Sequence, residues 1–188
     1  MVKYSNGKQT YEDKNKMEDT KMDNVVLIGM PGSGKSTLGV VLAKLLGYGF
    51  IDSDLIIEEE EQRLLHEIIS QEGIDGFIAI ENRVNSNIRV SKKVIATGGS
   101  AIYGAEAMEH LGKIGTIVYL KWSLEELAEH LGDLTERGVV LKEGQDLRGL
   151  YEERCPYYEK YADITVECGG DSIENMVKRI MDVLPIKQ

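Results

Sequence analysis

The stretch from Asn24 to Leu46 constrains this chain more than any other. Val25-Val26-Leu27-Ile28 is a short apolar, β-branched run, and Gly29-Met30-Pro31-Gly32-Ser33-Gly34-Lys35-Ser36 follows without a break. From Thr37 to Leu46 the apolar residues recur at helical spacing. The pattern is G-x-x-x-x-G-K-S in a strand–loop–helix setting, which is a P-loop. A phosphate chain needs several donors at close range, and small residues let backbone N–H groups turn inward as an anion nest. Gly29 and Gly34 tolerate the backbone angles that such a turn demands. The helix starting near Lys35 points its positive end at the phosphates. The nucleotide contacts expected from the loop are Gly32, Ser33, Gly34, Lys35, Ser36 and Thr37. Lys35 reaches the β- and γ-phosphates and the Ser36 hydroxyl ligates Mg²⁺. The loop implies ATP or GTP and says nothing of what receives the phosphate.

Beyond the loop, strand-like and helical segments alternate, which predicts an α/β architecture with a mainly parallel sheet. The predicted strands are Val25–Gly29, Gly49–Asp52, Lys93–Thr97, Thr116–Leu120 and Ile164–Glu167. The predicted helices are Lys35–Leu46, Asp54–Glu61, Leu64–Gln71, Gly76–Val90, Ala105–Leu111, Leu124–Leu131, Leu147–Lys160 and Ser172–Val183. Residues 132–145, with Gly132, Gly138 and Gly144 spaced through them, have lid composition. Residues 1–23 are polar and mixed in charge and read as a flexible extension, leaving 24–188 as a single domain. A net charge of −10 argues against a protein that coats nucleic acid. No apolar run reaches the length of a membrane span. Cys155 and Cys168 are too few for a zinc site and read as reduced thiols. These features predict a cytoplasmic protein with no membrane or nucleic-acid partner, favoured as a monomer.

Ligands of α/β sheets gather at the carboxyl ends of the strands. The first predicted strand ends in the P-loop, the second in Ile51-Asp52-Ser53-Asp54, and the third in Ala96-Thr97-Gly98-Gly99-Ser100. Asp52 suits Mg²⁺ coordination. Asp54 suits orientation or deprotonation of an acceptor hydroxyl, or equally the N-cap of the helix that follows. Gly98-Gly99 marks either a backbone approached closely by a ligand or a tight turn. Arg137, inside the expected lid, is placed to close on the phosphates. Arg154 lies on a helix that Pro156 is expected to interrupt, and an arginine there can hold a carboxylate bidentately. The run Glu58-Glu59-Glu60-Glu61 reads as a solvated helix face. His66 and His110 have no ligand-like spacing.

Together these residues resemble the shikimate kinase family, from about Asn24 to about Val183. The resemblance is carried by the P-loop, Asp52-Ser53-Asp54, Gly76-Phe77 with Glu81, Ala96-Thr97-Gly98-Gly99, Ile117-Val118-Tyr119-Leu120, Arg137, and Leu150 through Tyr158 with Tyr161-Ala162-Asp163. It implies a three-layer αβα kinase with a five-stranded sheet, a small helical acceptor-binding region at about 54–90 and a mobile lid. It implies ATP and Mg²⁺, with γ-phosphate transfer to a small hydroxy acceptor. Lys35, Asp54 and Arg137 take the catalytic roles, Ser36 and Asp52 the metal, and Asp54, Glu81, Gly98, Gly99 and Arg154 the acceptor.

Three departures from the family pattern stand out. Phe-Arg-x-x-Glu is here Phe77-Ile78-Ala79-Ile80-Glu81, so a second carboxylate-binding arginine is isoleucine. A charge-assisted hydrogen bond contributes roughly 1.5–3 kcal/mol, so its loss weakens shikimate binding about tenfold to a hundredfold. Arg63 and Arg83 are the sequence-near substitutes. The third glycine of the glycine run is Ser100. The lid's Arg-Pro-Leu-Leu is Arg137-Gly138-Val139-Val140, and an arginine near the adenine is His130. The phosphate-handling residues are intact while the acceptor pocket and lid are altered. The expected function is an ATP-dependent kinase with shikimate as first acceptor. The alternatives are the same fold acting on an amino acid, sugar acid or polyol, and an inactive nucleotide-binding regulatory module.

Overall fold

The computed structural model describes residues 23–131, 144–170 and 172–185. One sheet is built from β1 (Asn24–Ile28), β2 (Gly49–Asp52), β3 (Lys93–Ala96), β4 (Gly115–Lys121) and β5 (Ile164–Glu167). The order is β2-β3-β1-β4-β5 and every adjacent pair is parallel. A parallel strand covered on both faces needs a continuous apolar run. β1 has one: Val25, Val26, Leu27 and Ile28 are fully buried. Its polar residue, Asn24, donates to the Val90 and Ile114 carbonyls and accepts from the Lys93 N–H.

The helices are α1 (Lys35–Leu46), α2 (Ser53–Glu61), α3 (Leu65–Ser86), α4 (Ala105–Ile114), α5 (Leu124–Leu131), α6 (Leu147–Tyr161) and α7 (Ile173–Val183). Parallel crossovers are right-handed, so the direction of each step across the sheet selects the face its helix covers. The step from β1 to β2 runs one way and the later steps run the other. This puts α1 on one face and α3, α4 and α6 on the opposite one. α7 packs against α1, and α3 against α4, in agreement with that assignment. The core between these layers includes Leu38 and Leu42 from α1, Met108 and Leu111 from α4, and Val177 and Ile180 from α7. No helix among the described residues is long and apolar enough to cross a membrane.

α2 and α3 carry a small core of their own, made of Ile57, Ile68, Phe77 and Val84. The sequence predicts two helices here, 64–71 and 76–90, and α3 is indeed broken between those spans, at Gly73, whose φ 72° and ψ 179° lie outside the helical region. That conformation belongs almost only to glycine. α3 also stops sooner than expected, because Asn87 folds its amide back onto the Arg83 carbonyl and Asn24 captures the Val90 carbonyl. Pro156 does not interrupt α6, contrary to expectation, and lies within it. The proline removes one backbone donor, but Leu150, Arg154 and Tyr158 bury one continuous face of the helix and hold it together.

Candidate active site

The crossovers that leave the adjacent strands β1 and β3 run to opposite sides of the sheet, and the crevice beyond the carboxyl ends of such strands is where a sheet of this kind takes ligands. A cavity of about 400 Å³ opens there. Pro31, Gly32 and Gly34 to Thr37 form its floor, Asp54, Gly98, Gly99, Ser100 and Arg154 its polar wall, and Leu65, Ile69 and Phe77 its apolar wall. The strand endings singled out in the sequence do converge.

Gly34 takes the left-handed conformation that turns the loop into α1, with φ 82°. The Lys35 ammonium is buried and donates to the carbonyls of Gly29 and Met30 at 2.9 and 2.8 Å. Burial brings its pKa down to about 8, with the nearby Asp54 carboxylate working against the shift. The Trp122 indole N–H donates to the Ser33 carbonyl at 3.1 Å and ties the loop to the end of β4.

Ser36 Oγ donates to Asp52 Oδ2 at 2.6 Å, and Asp52 Oδ1 accepts the Asp54 N–H at 3.1 Å. The helix cap is therefore Asp52, which leaves the Asp54 carboxyl out of that role. Asp54 Oδ1 is buried and has no hydrogen-bond partner among the described residues. Burial first, and the neighbouring Asp52 second, push the Asp54 pKa up to about 6, opposed by Lys35. Ser36 and Asp52 supply hard oxygens suited to Mg²⁺. Among the described residues no group of His, Cys, Asp and Glu forms a self-sufficient metal cage. Such a donor set fits an ion that is completed by nucleotide phosphates and water.

Glu81 is almost wholly buried, at 1% exposure. Its Oε2 accepts from Ser100 Oγ at 2.6 Å, while Oε1 has no partner among the described residues. Burial pushes its pKa up to about 8, against the Ser100 hydrogen bond, with Asp54 adding to the rise. Gly98 and Gly99 form the turn after β3 and are approached closely by side chains of the cavity wall. A methyl group on Gly98 would strike Glu81 Oε1 and lie 2.8 Å from Asp54 Oδ1; one on Gly99 would lie 2.9 Å from the Pro31 ring and 3.1 Å from Arg154 Nη1. Arg154 is 2% exposed. Its Nε donates to the Tyr103 hydroxyl at 3.3 Å, its guanidinium lies 5.4 Å from the centre of that ring, and Tyr103 in turn donates to Glu153 at 2.6 Å.

Ile78 does not line this cavity but an adjoining one that shares Arg154 with it. This second cavity, of about 200 Å³, is also lined by Ile74, Asp75, Tyr103, Gln145 and Glu153. Arg63 pairs with Glu61 and Glu72, and Arg83 with Glu60 and Glu61. These arginines thus hold α2 to α3 and neutralise part of the glutamate run read as a solvated face. Arg137 and residues 132–143 lie outside the described residues, as does the side chain of His130. The sequence reading missed Trp122, Tyr103 and Tyr158, whose hydroxyl donates to the Gly99 carbonyl at 2.7 Å. The one available signal was a lone tryptophan directly after a buried strand.

The chain matches the family model described as Shikimate kinase over residues 31–185. A shikimate kinase of Francisella tularensis subsp. holarctica is 38% identical over 165 residues, covering 86% of this chain and 94% of the relative. A shikimate kinase of Clostridium botulinum is 40% identical over 161 residues, covering 83% and 93%. The chain belongs to the shikimate kinase family. The structure of the family member from Acinetobacter baumannii, in complex with shikimate, superposes with a TM-score of 0.77 at 32% identity and covers 86% of this chain and 92% of that one. The member from Bacteroides thetaiotaomicron gives a TM-score of 0.73 at 28% identity. Membership makes this chain an ATP-dependent small-molecule kinase.

Proposed function

We propose that the chain moves the γ-phosphate of ATP to a hydroxyl of a small carboxylate-bearing metabolite, with shikimate as the first acceptor. The observation that carries this reading is the placement of Asp54 and Arg154 in one cavity with the P-loop. Arg154 holds the acceptor carboxylate, and the Gly98-Gly99 backbone and Glu81 hold the acceptor's hydroxylated side. Asp54 Oδ1 takes the proton of the reacting hydroxyl as that oxygen bonds to the γ-phosphorus and the bond to the β,γ-bridging oxygen breaks, releasing ADP. Lys35 and the lid residue Arg137 stabilise charge on the transferring group. The remaining loop contacts are Gly32, Ser33, Gly34 and Thr37. Ser36 and Asp52 would hold Mg²⁺, which when bound neutralises the β- and γ-phosphate oxygens. Closure of residues 132–145 excludes water.

Residues 24–188 form one kinase unit in this reading, with 54–90 as its acceptor-binding part, acting as a cytoplasmic monomer. A coupled ADP-release assay with shikimate and a panel of hydroxy acids and sugars tests it. The expected result is turnover stimulated by shikimate. Nucleotide-stabilised melting with no acceptor-stimulated turnover would instead indicate an inactive nucleotide-binding module.

Ile78 favours a second reading, in which the acceptor is a different hydroxy compound that needs only one arginine. Replacing Ile78 by arginine separates the two. A gain in shikimate kcat/KM supports the first reading, and an unchanged value supports the second.

A further inference from the structure

Ser100 replaces a third glycine of the family pattern, and none of the roles proposed above uses its hydroxyl. It is 4% exposed, lines the main cavity, and donates to Glu81 Oε2 at 2.6 Å. Glu81 Oε1 and Asp54 Oδ1 are both buried without a hydrogen-bond partner among the described residues. A methyl group on Gly98 would touch both of these oxygens, so they face the same point of the wall. Positions i and i+3 are neighbours on a helix face. Ile78 stands at that spacing before Glu81 on α3 and offers no donor. The charged groups facing Glu81 are Asp54 from α2, Arg154 from α6 and Lys35 from α1. The hydroxyl of Ser100, in the turn after β3, is the group that bonds it directly.

We propose that Ser100 is the positioning residue for Glu81, anchoring Oε2 so that Oε1 stays aimed beside Asp54 at the acceptor, a task that the residue at position 78 cannot perform in this chain. The inference rests on the reading of Glu81 as an acceptor contact. A glutamate side chain has three rotatable bonds, and without an anchor its carboxyl would sample orientations that take Oε1 away from Asp54 and from the Gly98 wall. A short hydroxyl donor fixes it at close range and adds no charge to the acceptor side. An alanine or glycine at position 100 removes the anchor, and a threonine keeps it.

The test uses the full chain labelled with ¹³C at the glutamate side-chain carboxyl carbons, with the Glu81 signal assigned by its loss in Glu81→Gln. Carboxyl titrations of the wild type, Ser100→Ala, Ser100→Gly and Ser100→Thr are compared, each checked for folding by circular dichroism. The Ser100 hydrogen bond favours the ionised carboxylate, so its loss should raise the Glu81 midpoint by roughly one pH unit. Threonine should restore the wild-type value. In ADP-release assays with ATP and shikimate, Ser100→Ala should raise the acceptor KM roughly threefold to tenfold. The KM for ATP should stay within about twofold, since the hydroxyl does not touch the phosphate side. An unmoved Glu81 midpoint in a folded Ser100→Ala or Ser100→Gly chain overturns the proposal. So does a loss in Ser100→Thr equal to that in Ser100→Ala, or an acceptor KM that does not change. If the wild type does not turn over shikimate at all, the acceptor reading fails, and the carboxyl titration still decides whether Ser100 holds Glu81.

Discussion

At Asp54 the sequence leaves open both capping a helix and handling a substrate, and one hydrogen bond removes the capping role. Asp52 receives the Asp54 N–H, so the Asp54 carboxyl is left facing the cavity. With its pKa raised to about 6, chiefly by burial, Asp54 is ionised and able to accept a proton above that pH and loses the capacity below it. The kcat/KM of the wild type should therefore fall as pH drops through about 6. Asp54→Asn should lower kcat/KM by about 10²–10⁴-fold and abolish that acid limb. A limb that persists in the variant would assign the base role to another group. Glu81 gives a second expectation, read in stability. Its folded pKa is about 8 against an ordinary value of 4.5. Between those values the unfolded chain releases a proton that the folded chain keeps, so this group makes stability fall as pH rises through the window. Glu81→Gln removes the dependence. Urea midpoints should move in favour of the variant from pH 5 to pH 8, and a constant difference between variant and wild type would contradict the assignment.

At the scale of the element, α3 carries its strain at one residue. Gly73, with φ 72° and ψ 179°, lets the helix turn so that Ile68 and Phe77 share the small core with Ile57. Gly73→Ala should cost about 1–3 kcal/mol, seen as a lower urea midpoint with unchanged m. An unaffected midpoint would mean that the kink does not hold this part of the fold. The strands were legible in the sequence to within a residue or two, most plainly the inner strands β1, β3 and β4, because parallel strands buried on both faces leave compact apolar runs between turn residues. The P-loop was legible because phosphate chemistry fixes its residue types. The break in α3 at Gly73 was legible too, whereas the continuity of α6 through Pro156 was not. Glycine and proline mark local breaks, while burial of Leu150, Arg154 and Tyr158 against the rest of the molecule overrides the break at Pro156. The supports of the cavity were hidden for a related reason. Trp122 and Ser33 are 89 residues apart and Tyr158 and Gly99 are 59 apart, so only the folded topology brings them together.

Across the whole molecule, the cavity links the nucleotide and acceptor sides through the P-loop, α2, the turn after β3 and α6, and ligands bound there should stabilise the fold by mass action. At about 100 times the Kd, a nucleotide adds about 2.7 kcal/mol, a rise in Tm of roughly 5–11 °C for a chain of this size. Lys35→Met should remove most of that rise. An unchanged shift would place the nucleotide elsewhere. The central claim is that the γ-phosphate leaves ATP for a hydroxyl bound between Asp54 and Arg154. ³¹P NMR of the full chain with ATP, Mg²⁺ and shikimate follows the phosphorus itself. The account predicts a phosphomonoester resonance that grows in step with ADP in the wild type and is lost in Asp54→Asn. ADP accompanied only by inorganic phosphate, or no consumption of ATP, would contradict it.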